Sequence, residues 1–113
     1  MAVKVKIDFD KPVIGKDHVL EIDSGDLDSF YACAPATDRS NLFFILLASL
    51  HYYEENGDTV RAARLSFLAA YYVFTPLTPP GSHFLALHYM NKAISLHPLP
   101  EYKEWLAVME KGN

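Results

Sequence analysis

Cysteine occurs once in these 113 residues, at Cys33. No disulfide can close within the chain, and a thiolate zinc site lacks its second sulfur. Basic residues are also scarce: 10 Lys and Arg stand against 14 Asp and Glu, for a net charge of −4 and a pI near 5.6. With no basic stripe to neutralise phosphates, nucleic acid is excluded as a partner class. The longest nearly continuous apolar run, residues 42–53, falls well short of the ~20 residues that span a bilayer, so no membrane insertion is expected. The first residues alternate lysine with valine and contain no apolar core, so they do not read as a signal peptide. A reducing, cytoplasmic location is the expectation.

Catalytic signatures are missing as well. There is no glycine-rich phosphate loop, nucleophile elbow or paired-carboxylate constellation. His83, His88 and His97 have no histidine one helical turn away, and His51 and His88 read as residues of packed helix surfaces. Asp23, Asp26 and Asp28 are spaced like a calcium loop, but the glutamate at the twelfth position is missing and the glycine is misplaced. Turn chemistry accounts for them. Cys33, between small residues, reads as a packed thiol. No metal and no cofactor is expected, and nothing asks for an enzyme.

What the chain does have is apolar surface: half of its residues are hydrophobic and 13% are aromatic. One domain of this size buries roughly two-thirds of its unfolded surface. Residues 3–9 alternate Val3, Val5, Ile7 and Phe9 with Lys4, Lys6 and Asp8, the pattern of a half-buried strand. Residues 18–23 offer a second strand after the turn at Gly15, so a short N-terminal β-hairpin or extended segment is predicted for residues 1–39. A short helix is predicted over 26–34, ended by Pro35.

The rest, residues 40–113, reads as a helical array. Ser40 or Asn41 caps a helix running to about residue 55 with almost no polar face. Asn56, Gly57 and Asp58 close it and cap the next, from about 59 to 74, which carries two apolar stripes. Three prolines, Pro76, Pro79 and Pro80, break that helix before Gly81 and Ser82 open another, ended by Pro98. There Phe84, Leu87 and Ile94 line one side and Leu85, Tyr89, Ala93 and Leu96 the other, so two buried faces are predicted. The last helix starts at Pro100 and is one-sided: Tyr102, Trp105, Leu106 and Met109 face in, Lys103, Glu104, Glu110 and Lys111 face out. A one-sided helix closes a stack of two-sided ones.

Gly81, Ala86, Ala93 and Pro98 form a series that resembles the second helix of a tetratricopeptide repeat, and Gly57, Ala62 and Ala69, preceded by Tyr53, repeat it. Alanines at tight crossings let helix backbones approach closely. The two series lie 24 residues apart, short of the ~34 of a tandem array. They leave no room for a complete helix between Ala69 and Gly81. The resemblance implies about four main helices in antiparallel hairpins and the binding of a peptide or partner helix in a groove.

The function expected is thus a non-enzymatic protein–protein interaction module, an adaptor, a chaperone-like protein or an accessory subunit. The alternative is a small-molecule sensor or carrier with an aromatic pocket between helices. Candidate partner-binding residues are Arg61 and Arg64, one turn apart and able to clamp a carboxylate unless they pair with Glu54, Glu55 or Asp58. Tyr52 and Tyr71 join them, because one member of each tyrosine doublet must point off the core face. Val5 and Ile7 on the strand complete the set. The uncovered helix faces and the strand edge point to a homodimer or a complex with another chain.

Overall fold

The computed structural model describes Val5 and residues 10–112. Among these residues there are six α-helices and no strand: α1 (Lys16–Val19), α2 (Ser24–Cys33), α3 (Ala36–Glu55), α4 (Thr59–Tyr72), α5 (Ser82–Leu96) and α6 (Pro100–Lys111). The predicted first strand, Ile7 included, lies outside the described residues except for Val5, which is half-buried and packs on the core.

The second predicted strand is not a strand. Residues 16–19 form the single turn α1, and Val19 and Ile22, three residues apart, both point into the core. Asp23 then begins α2 with a reciprocal capping box: its carboxylate accepts from Asp26 N–H at 2.9 Å, and the Asp26 carboxylate accepts from Asp23 N–H at 3.0 Å. This engages one carboxylate oxygen each of Asp23 and Asp26 from the calcium-like run, and Leu27 behind them is fully buried. Pro35 serves as the N-cap of α3, which therefore starts earlier than Ser40.

The turns follow the chemistry of the sequence. Gly57 takes φ +75° between α3 and α4, and the Asp58 carboxylate accepts from Arg61 N–H at 3.2 Å. Helix α4 runs on into a π-helical turn, Val73–Leu77, which contains Pro76; Thr78 closes it in the left-handed region at φ +43°.

The central element is α4. From Ala62 to Tyr72 every α4 residue except Arg64 is buried, because α4 has neighbours all round: α3 on one flank, α5 on another, α1 and α2 outside and α6 against Phe67. Helix α5 buries only Ala86, Met90 and Ala93 fully, and Phe84, expected inside, is 75% exposed. Phe84 lies on one line with His88, Asn91 and Ser95, all exposed. The four alanines of the two series, Ala62, Ala69, Ala86 and Ala93, are all inaccessible to water. Near the middle of the α4–α5 contact, Ser66 Oγ donates to the Tyr89 carbonyl at 2.6 Å, so the backbones lie close there. One-sided α6 ends the array as expected, with Tyr102 and Met109 buried and its charged residues wet.

Candidate functional site

Two surfaces gather the polar and aromatic residues that function could use. The first is the seam between α4 and the segment before α3. Arg61 pairs with Asp58 at 3.0 Å and donates from Nε to the Lys16 carbonyl at 3.0 Å. Arg64 donates to the Ile22 carbonyl at 2.7 Å, lies over the Phe67 ring and approaches Glu101 at 3.5 Å. Tyr53 donates to the Ile14 carbonyl at 2.7 Å, and Ser49 Oγ accepts from Ile14 N–H at 2.9 Å. Tyr71 donates to both oxygens of Asp28 at 2.8 Å, and Tyr72 to the Arg39 carbonyl at 2.6 Å.

These bonds staple Ile14 onto α3, and residues 16–28 and the start of α3 onto α4. Arg61, Arg64 and Tyr71, expected at a partner surface, make the hydrogen bonds just described inside the fold. Both members of the Tyr71–Tyr72 doublet are buried, because α2 and Trp105 of α6 cover the side of α4 from which Tyr71 would have emerged. The seam is a structural joint. Burial raises the pKa of Tyr53, Tyr71, Tyr72 and Tyr102 above that of an ordinary phenol, with Tyr72 pushed up to about 12. Neutral phenols held as donors suit such a joint.

The second surface is the outer face of α3 and α5. These helices meet by side chains: Phe43 and Tyr89 lie edge-to-face with centroids 6.2 Å apart, and Lys92 pairs with Glu54 at 2.8 Å. Rings continue outward on both sides, from Phe43 to Phe44 at 5.9 Å and from Tyr89 to His88 at 4.9 Å. Phe44 is 65% exposed, and Phe84 lies one turn before His88. Tyr52, predicted to point outward, does so at 49% exposure, further along the same side of α3. His51 is exposed beside it, and neither His51 nor His88 is packed in the way the sequence suggested.

Before Glu55, no fully exposed residue of this face is charged. The exposed residues of α3 before Glu55 are Ala36, Thr37, Ser40, Phe44, Ala48, His51 and Tyr52, and those of α5 are His83, Phe84, His88, Asn91 and Ser95. Apart from exposed Glu55 at the end of α3, the charged residues of the two helices are half-buried (Asp38, Arg39, Glu54 and Lys92), and Arg39 is turned onto the Tyr31 ring and carbonyl.

Phe44 and Phe84 were missed by the pattern reading, though Phe44 left a signal. The doublet Phe43-Phe44 obeys the same rule as the tyrosine doublets, since residues 100° apart on a helix cannot both face inward against one neighbour. Cys33, at the end of α2, is exposed and not packed. Among the described residues no group of three His, Cys, Asp or Glu side chains is placed to hold a metal ion, and no helix is long and apolar enough to cross a membrane. Comparison of the chain with family models, with curated proteins and with solved structures gives no match.

Proposed function

We propose that this protein is a non-enzymatic protein-interaction module whose contact surface is the uncharged aromatic face of α3 and α5. The observation that carries the reading is the exposure of Phe44 and Phe84, 65% and 75%: Phe44 begins a ring-to-ring path through Phe43 and Tyr89 to His88, and Phe84 lies one turn before His88 on α5. Burying large aromatic side chains contributes most of the energy at protein interfaces, and a patch without charges loses little on desolvation. The tetratricopeptide-like series supports the same reading: the alanines it places at 62, 69, 86 and 93 are buried, and α3 and α5 both pack on α4. An adaptor or accessory subunit fits this surface.

The test is assembly in the native host, read by size exclusion and intact mass of the tagged chain. The double variant Phe44→Glu with Phe84→Glu should lose any assembly while keeping its helical circular dichroism. Val108→Glu, on the exposed side of α6, serves as the control and should retain it. An assembly indifferent to the double variant, or none with the unaltered chain, overturns this function.

A further inference from the structure

We infer that the first occupant of the α3 face is a second copy of this chain, docked through α3 about a two-fold axis. This rests on the interaction reading above and names its partner. Two observations carry it. The first is the distribution of charge. At a net charge of −4 two copies repel each other, and most exposed acids lie elsewhere: Asp10, Asp17, Glu21, Asp23 and Asp28 before and within α1 and α2, and Glu101, Glu104 and Glu110 on α6, with Glu55 alone at the last residue of α3. The outer strip of α3 from Ala36 to Tyr52 has no exposed Lys, Arg, Asp or Glu. It offers a basic or acidic partner nothing to recognise. Like faces can meet there without setting charge against charge.

The second observation is the relief of the strip. Phe44 projects from α3 between Ser40 one turn before it and Ala48 one turn after, all three exposed. In an isologous contact residue i meets j and j meets i. If two α3 helices cross antiparallel with the axis between positions 44 and 48, each Phe44 ring covers the partner's Ala48. The small side chain is what permits the close approach. The strip is thus complementary to itself, with one knob and one hollow per copy.

The purified full-length chain at about 100 μM, well above micromolar dissociation constants, should sediment at twice its 12.8 kDa. Raising salt tenfold should leave that mass unchanged, because no ion pair holds the contact. Phe44→Glu should give monomer. The decisive variant is Ala48→Phe, which adds apolar surface to an exposed position: filling the hollow should weaken the dimer tenfold or more, whereas unspecific stickiness would tighten it. Helical circular dichroism confirms that both variants are folded. A wild-type monomer, or a dimer tightened by Ala48→Phe, overturns the inference. A wild-type monomer that still assembles in the host through Phe44 and Phe84 overturns the second copy alone and leaves the interaction reading standing.

Discussion

Arg64 shows how a residue's role is decided by partners far away in the chain. Its guanidinium holds the Ile22 carbonyl, 42 positions earlier, and Tyr53 reaches Ile14 over 39. Sequence patterns display neighbours three and four residues apart, so the Arg61–Asp58 pair was legible and the staples to Lys16 and Ile22 were not. The doublet rule placed Tyr52 correctly and failed at Tyr71, where a second layer of structure covers the outward side. Replacing Arg64 with methionine keeps its stem over Phe67 but removes a charged donor from a carbonyl, and should cost about 1.5–3 kcal/mol in urea unfolding. Its other partner, Glu101, has more than half of its side chain in water, so Glu101→Gln should change stability by less than about 1 kcal/mol. An Arg64→Met midpoint equal to wild type would free the arginine for a partner after all.

Helix existence was readable wherever apolar spacing and punctuation agreed. Gly57 with Asp58, Pro100 and Gly112 end or begin helices where their chemistry requires. The N-terminal hairpin failed because residues 18–23 satisfy two patterns at once. Alternation suggested a strand, while the capping residues Asp23 and Asp26 announced a helix start that a six-residue window discounts. Two substitutions test the elements. Ala93 is inaccessible to water beneath the α4–α5 contact, and Ala93→Leu should destabilise by about 1–3 kcal/mol through overpacking. Thr78 sits at φ +43°, where a β-branched side chain is strained. Thr78→Asn should therefore raise stability by about 0.5–1 kcal/mol, because asparagine tolerates the left-handed region. If Thr78→Asn destabilises instead, the threonine side chain must hold the π-helical turn in a way its backbone geometry does not reveal.

For the molecule as a whole, the question the sequence left open was which helix lies at the centre. Two apolar stripes describe α4 and α5 equally well, and only the polar line His88, Asn91 and Ser95 distinguishes them by giving α5 a wet side. With α4 enclosed, its phenols and those facing it hold the surrounding layers together, and this makes the fold sensitive to alkali. Burial raises Tyr53, Tyr71, Tyr72 and Tyr102 above 10, the value they regain on unfolding, and takes Tyr72 to about 12. Below pH 10 these groups are protonated in both states and their contribution to stability is intact. As pH rises further the unfolded chain loses their protons first, so unfolding is favoured progressively until the folded groups ionise as well. The urea midpoint should accordingly fall as pH rises from 10 towards 12. Part of the tyrosinate absorbance should appear in the same transition that removes helical circular dichroism. Tyr72→Phe, whose ring keeps the packing but cannot ionise, should flatten that fall while costing about 1 kcal/mol at neutral pH for the lost bond to the Arg39 carbonyl. A midpoint that does not move with pH in this window would mean that water reaches these phenols and that α4 is not enclosed.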